Sequence, residues 1–336
     1  MSEAPNFEKV RLGSVGLGWW GGVLANGAAA GDEATVVSCF ARTPETRQKF
    51  AAAHGVRQAA SFEEMLSDDE IEGILLATSH VSHADLIEAA AAAGKHVFVE
   101  KPFTLSVDDG KRAIAAAEKA GIVLQVGHNK RRQPANRRIK QLIDTGELGS
   151  VVMIETHQNA PKALEFKSEY WRASREESPL GSMTSLGVHM LDTMHYLLGR
   201  VERVFAFSNT VLDSPPIDHV TSIVLEFESG QQGYLGTSFV VSPAVDVTVR
   251  GTGGTVWNAD DGSKLFRQAP SGMARESEDI ETLDTIADEI SEFARAIRGG
   301  QSPETGGAEG LEVVSVLAAA VASVASGKAE AVADFR

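Results

Sequence analysis

The sequence predicts a two-domain α/β protein. A doubly wound parallel sheet comes first, and an α/β domain with a large, mostly antiparallel open sheet follows. Three observations carry this. Short apolar runs alternate with helical stretches from Val10 to Val126, the pattern of βαβ units. From Val201 to Phe266, runs of alternating apolar and polar residues are divided by turn residues, the pattern of hairpin-linked strands. At 336 residues, the chain is long for a single core. We place the domains at residues 1–126 and 127–336.

The first run, Val10 to Val15, breaks into Gly16-Leu17-Gly18-Trp19-Trp20-Gly21, with an Ala-rich helical stretch, Val23 to Ala30, behind it. This is a G-x-G-x-x-G loop between a strand and a helix. Gly16 allows the tight turn, Gly18 lets a pyrophosphate approach the backbone, and Gly21 lets helix and strand pack closely. The helix N-terminus offers N–H groups and partial positive charge to phosphates. Trp19 and Trp20 are then candidates to flank a bound dinucleotide.

Thr35 to Phe40 reads as a second strand. Thr43-Pro44-Glu45 opens a helix with a cap, a proline at its first position and an acid in its first turn. Ser61 to Glu64 is a capping box. Glu72 to Thr78 is a buried strand, His83 to Gly94 a helix, His96 to Val99 a strand, Ser106 to Gly121 a helix and Val123 to Val126 a strand. About 20 residues past the glycines, an acid would bind the ribose 2′-hydroxyl of NAD. The sequence has Phe40-Ala41-Arg42-Thr43 there, without an acid. An arginine suits a 2′-phosphate, so the reading leans to NADP; NAD bound without the usual acid, with Arg42 merely solvated, stays open.

Glu100-Lys101-Pro102 follows a buried strand directly, where the carboxyl ends of such strands face the ligand crevice. Pro102 pushes Lys101 out of the helical region and permits a cis bond. Beside a positively charged nicotinamide, Lys101 could have a lowered pKa. By itself the Glu-Lys pair also fits a surface ion pair.

The segments VGLGWWG, ATSHVSHADL, GKHVFVEKPF and VGHNKRR, in this order, resemble the glucose–fructose oxidoreductase / inositol dehydrogenase / MocA (Gfo/Idh/MocA) family across nearly the whole chain. The E-K-P tripeptide is the most telling. The resemblance implies an N-terminal Rossmann domain and a C-terminal domain carrying the substrate pocket and the oligomer interface. It implies that Lys101 sits between nicotinamide and substrate, with Thr78, His80, His83 and Glu100 around the cofactor. His83 also reads as a histidine at a helix N-terminus.

In the second half, Lys130, Arg131, Arg132, Arg137, Arg138 and Lys140 form a basic cluster, read as an anionic-substrate or subunit contact or as a solvated helix face. Ala135 to Thr145 reads as a helix and Val151 to His157 as a strand. Trp171 and Arg172 are pocket candidates by the resemblance, or a structural stack. Met183 to Leu198 reads as one helix whose Ser185, His189, Asp192 and Tyr196 form a polar stripe. The stripe could present His189 to a hydroxyl, with Asp192 orienting it or binding substrate; a hydrogen-bonded structural histidine is the other reading. S-L-G-V-H-M-L-D resembles the family's D-x-G-x-H-x-x-D segment, whose histidine partners the lysine in acid/base work. Ser185 stands where the family often has aspartate and supplies no charge. His195 lies off the stripe and is read as structural.

Val201 to Val211, Val220 to Glu228, Gln232 to Val241 and Val245 to Gly251 follow as strands, then shorter ones at Thr255 to Trp257 and Lys264 to Phe266. Their outer face, with Val, Phe and Tyr at alternate positions, is expected to bury itself in a homodimer or homotetramer. Ile280 to Arg298 and Gly310 to Ser326 read as helices, with Gly299 to Gly307 a linker.

A net charge of −15 argues against nucleic-acid or anionic-membrane partners. Cys39 is the single cysteine, which excludes an internal disulfide. The N-terminal MSEAPNFEK has no apolar core, and no run of 18 apolar residues follows, so a cytoplasmic location is expected. No metal is called for. The expected function is hydride transfer between a sugar, cyclitol or related polyol, or its keto form, and NAD(P). Lys101 and His189 would move the proton, and Trp171, Arg172, Ser185 and Asp192 would hold substrate. The alternatives are an NAD-dependent glycosidase that oxidises transiently, and a silent NAD(P)-binding sensor or co-repressor.

Overall fold

The computed structural model describes residues 8–167, 170–213 and 215–336. Most of the N-terminal segment read for a leader lies outside them. The chain runs β1 (Val10–Val15), α1 (Trp19–Ala30), β2 (Ala34–Phe40), α2 (Pro44–His54), β3 (Arg57–Gln58), α3 (Phe62–Leu66), β4 (Gly73–Leu76), α4 (His83–Ala92), β5 (His96–Val99), α5 (Val107–Ala120) and β6 (Leu124–Val126). There follow α6 (Pro134–Asp144), β7 (Val151–Asn159), α7 (Val188–Leu198), β8 (Val201–Asn209), β9 (Val220–Phe227), β10 (Gln232–Ser238), β11 (Ala244–Gly251), β12 (Gly254–Ala259), β13 (Lys264–Gln268), β14 (Glu276–Glu278), α8 (Thr285–Gly299), α9 (Gly307–Ser326) and β15 (Glu330–Ala331).

The local signals explain many of these ends. Ser61 accepts from the Glu64 N–H and caps α3. Glu64 reaches back to the N–H of Ala60, one residue beyond the usual capping-box partner. Asp284 caps α8 through the N–H groups of Ile286 and Ala287, so this helix starts later than its amphipathic pattern at Ile280 indicates.

Two compact units emerge. The first holds residues up to Thr104, Asp108–Gly127 and Asp284–Ala308; the second holds Leu105–Val107, His128–Leu283 and Glu309–Arg336. The expected crossing near residue 127 is there, but the division is not contiguous, because α8 returns to the first unit.

The first unit carries a six-stranded sheet in the order β3-β2-β1-β4-β5-β6. All its ladders are parallel. Val10, Leu12, Leu75 and Phe98 from the strands form one core with Leu24 and Ala28 of α1 and Ile290, Phe293 and Ala294 of α8. Gly27 admits α8: a Cβ there would stand 2.6 Å from Ile286 Cγ2. The segment expected to be a linker is also built in, since the Val126 N–H donates to Thr305 O at 2.7 Å and Thr305 Oγ1 donates to Val126 O at 2.7 Å.

The second unit carries a nine-stranded sheet in the order β14-β13-β12-β11-β7-β10-β9-β8-β15. Its ladders are antiparallel except β7 against β10. One face is covered by a core that includes Ile139, Met190, Met194, Ile223, Leu235, Val316 and Leu317. α9 is long and apolar enough to cross a membrane, with mean hydropathy 1.7, but Val313, Val316, Leu317 and Ala320 pack into this core. On the opposite face, the cross-strand row Phe205, Val224, Tyr234, Glu155, Thr248, Trp257 and Phe266 runs over seven strands.

Candidate active site

In the first unit, β1 and β4 are neighbours in the sheet although β2 and β3 lie between them in sequence, so the strand order reverses there. In open α/β sheets such a reversal places the ligand crevice at the strands' carboxyl ends. The glycine loop lies at that place. Gly16 has φ +89, and a Cβ on it would fall 2.3 Å from Ala77 O. A Cβ on Gly21 would fall 2.3 Å from Gly16 O. The chain's own packing therefore requires both. Gly18 differs: a Cβ there would meet no atom of the protein within 4 Å. It caps α1 without any side-chain hydrogen bond. A small residue that its own fold does not demand, at a helix N-terminus, fits close approach by a phosphate. Trp19 and Trp20 do not plug this loop. Trp19 is 75% exposed, and Trp20 turns its ring towards Lys101, whose Nζ lies 5.9 Å from the ring centroid.

Arg42 lies exposed just beyond β2. Sequence reasoning missed a second arginine there. Arg47, one turn into α2, donates from Nη1 to Ala41 O at 2.7 Å and sets its guanidinium 5.8 Å from the Phe40 ring centroid. Its signal was the spacing from Phe40, which brings α2 back over the strand end.

Past β4, Ser82 Oγ donates to Thr78 Oγ1 at 2.8 Å and steadies the turn into α4. His80 is buried, its ring 6.0 Å from that of His83. His83 is wholly buried, with Nδ1 3.0 Å from Pro102 O and 3.3 Å from Phe103 O. Carbonyls only accept, so Nδ1 carries the proton and the ring anchors the loop after Lys101. This weighs towards a supporting role for His83. The Lys101–Pro102 bond is cis. Glu100 is buried; its Oε2 accepts from the Lys101 N–H at 3.3 Å, and Gly127 makes room for its Oε1, 2.8 Å from where a Cβ would stand.

In the second unit, the expected single helix from Met183 is two pieces, a π-helical turn at Met183–Gly187 and then α7. Within it, a Cβ on Gly187 would fall 2.2 Å from Met183 Sδ. π turns in helices are frequent at functional sites. Ser185, 8% exposed, sits in this turn, so its angular relation to His189 is not that of an ideal α-helix. His189, 4% exposed, is the second residue of α7, and its ring meets that of His128 edge to face, centroids 6.5 Å apart.

Asp192 is fully buried, and Arg131 grips both its oxygens, Nε to Oδ2 at 2.9 Å and Nη2 to Oδ1 at 2.5 Å. Burial pushes this carboxyl up, but the charges of His128 and Arg131 outweigh it and hold it below the usual range. The pairing weighs against the substrate role read from the stripe. It also changes the reading of the basic cluster, because Arg131 and Arg132 are buried, not solvated. Further along the stripe, Arg131 and Arg137 stand over the Tyr196 ring at 5.4 and 5.6 Å. His195, off the stripe, is lowered to about 4, mainly by burial.

Arg172 stacks on Trp171, 4.0 Å from the ring centroid, and its Nη1 donates to the Tyr170 hydroxyl at 2.6 Å. The stack is therefore present. Burial, with Arg172 adding to it, pushes Lys162 down. Lys101 belongs to the first unit and His189 to the second.

Known proteins share this architecture. Residues 10–128 match the oxidoreductase family GFO_IDH_MocA, NAD-binding Rossmann fold, and residues 136–257 match the GFO/IDH/MocA C-terminal domain. A Desulfitobacterium hafniense crystal structure, provisionally named as an NADPH-dependent oxidoreductase, is 31% identical, with a TM-score of 0.93 over 98% of this chain and 99% of that one. The myo-inositol 2-dehydrogenase of Thermotoga maritima is 26% identical over 90% of this chain and 92% of its own length. The D-apiose dehydrogenase of Paraburkholderia graminis is 28% identical over 84% and 77%. With the glycine loop, the E-K-P turn and the second-unit sheet in place, the chain belongs to the Gfo/Idh/MocA family of NAD(P)-dependent oxidoreductases.

Proposed function

We propose that this oxidoreductase moves a hydride between a CH–OH carbon of a sugar, cyclitol or related polyol and NADP, with Lys101 and His189 handling the hydroxyl proton. The observation that carries the reading is Lys101 just past β5, its Nζ 5.9 Å from the Trp20 ring centroid, in the same unit as a glycine loop whose Gly18 is open to a ligand. The polyol class is supported by the relatives named as inositol and apiose dehydrogenases. When bound, the nicotinamide supplies the carbon that takes or returns the hydride. In oxidation, Lys101 and His189 shuttle the hydroxyl proton away, with His189 its acceptor, and the Lys101 ammonium stabilises the developing alkoxide. In reduction the same groups act in reverse. Trp171, Arg172 and Ser185 hold substrate oxygens, while Asp192 acts through Arg131. NADP is favoured over NAD by Arg42 and Arg47 at the end of β2, by the missing acid there, and by the relative named for NADPH.

The same proposal includes a homodimer or homotetramer formed through the outer face of the large sheet, where Phe207 is 63% and Val224 51% exposed. It also includes a cytoplasmic location, for which the lone, buried thiol of Cys39 is the support. The purified enzyme is tested with NAD⁺ and NADP⁺ over a panel of sugars and cyclitols, reading absorbance of reduced coenzyme. Accumulating NADPH with a polyol is the expected result. Turnover of a glycoside without free reduced coenzyme would favour the transient-oxidation glycosidase, and coenzyme binding without any turnover would favour a sensor.

A further inference from the structure

We propose that His128 is a positioning residue for His189: it fixes the plane of the His189 ring and, as a second imidazole packed against the first, opposes a charge on it, so that His189 stays neutral. This rests on the reading of His189 as the proton acceptor and assigns a second histidine to the same task.

The geometry comes first. His128 is 1% exposed and precedes the tight turn Asn129–Arg132; its ring meets His189 at 81° between planes. Edge-to-face contact between closely packed rings restricts rotation of both. Both supports are held from elsewhere. Arg131 ties the turn to Asp192, three residues after His189 on α7. Asn136 Nδ2 donates to Lys130 O at 2.9 Å, and Gln133 Nε2 donates to Asp261 O at 2.9 Å, so the turn is also bound to α6 and to the β12–β13 loop. Thr193 Oγ1 donates to His189 O at 2.9 Å on the α7 side.

The charges follow. From α7, Asp192, His189 and His195 face or adjoin His128; from its own segment, Arg131 does; Arg336 acts on His195 from the C-terminus. Arg131 and Asp192 offset one another as a bidentate pair. Burial keeps His195 neutral near pH 7. His128 is the remaining imidazole beside them, and a charge on it and the Asp192 carboxylate favour one another. Two touching imidazoles do not both ionise cheaply, so a charged His128 opposes a second charge on His189. A neutral ring is the form a proton acceptor needs.

The test follows the His189 ring by NMR titration of the full chain, the signal being assigned by its loss in His189→Asn. His128→Phe keeps the aromatic edge and removes the second ring that can compete for a proton. His189 is expected to titrate higher by about one pH unit, and the acid limb of kcat/KM for oxidation to move with it. An unmoved His189 titration in folded His128→Phe overturns the proposal. His128→Gln stands in if the Phe variant does not fold, with the same two outcomes. Retained turnover in His189→Asn is a different failure, that of the proton-acceptor reading itself.

Discussion

Arg131 and Asp192, 61 residues apart in sequence, form a bidentate ion pair buried in the second unit, with side chains 6% and 1% exposed. The pair engages a carboxylate that the polar stripe assigns to orienting His189 or to binding substrate, and ties α7 to the turn after His128. Breaking it by Asp192→Asn leaves the guanidinium buried and poorly compensated. The expected loss is about 3–5 kcal/mol of stability, read as a lower denaturation midpoint. A substrate ligand would instead raise KM and leave the midpoint in place.

Stability should also fall with pH through His195. Its folded pKa is lowered to about 4, mainly by burial, from an ordinary value of 6.5. Between these values the unfolded chain binds a proton that the folded chain refuses. The contribution, about 3 kcal/mol, is therefore complete above pH 6.5 and lost as pH falls from there to about 4. Denaturant titrations across this window should show the slope in the wild type and a shallower one in His195→Asn.

The three loop glycines should separate into two kinds. Gly16→Ala and Gly21→Ala drive a methyl into backbone oxygens and should destabilise by about 1–3 kcal/mol or more. Gly18→Ala meets no protein atom, so the unfolding midpoint should hold while coenzyme affinity falls. Thermal melts with and without NADP⁺, together with a fluorescence titration, distinguish the two.

Arg42 and Arg47 should set coenzyme choice. Under the proposed NADP reading, replacing Arg42 by Ala should remove a charge-assisted contact to the 2′-phosphate and lower the NADP over NAD preference by about 10- to 100-fold, read as the ratio of the two kcat/KM values. Arg47→Ala should reduce it less, because its Nη1 is engaged by Ala41 O.

Local chemistry made much of this fold readable in advance. The G-x-G-x-x-G loop, the Ser61 cap and the apolar runs of β4 and β5 announce themselves within a few residues. What stayed hidden depends on distant partners. The amphipathic pattern of α8 shows that it packs, but not that Gly27 would admit Ile286 and return it to the first sheet. Alternation marks β7 and β10 as strands without showing that they pair in parallel. In the candidate site, Lys101 and His189 stood out by motif and spacing. The π turn at Ser185 and the pairing of Asp192 with Arg131 did not, since neither leaves a periodic trace.

The central claim is that Lys101 acts on the proton and the developing oxygen charge and not on coenzyme capture. It is tested most directly by Lys101→Met, comparing single-turnover reduction of NADP⁺ with coenzyme affinity in the same preparation. Turnover should fall by about a hundred- to ten-thousandfold with NADP⁺ affinity within about threefold of wild type. Turnover near the wild-type rate, with coenzyme still bound, would contradict it.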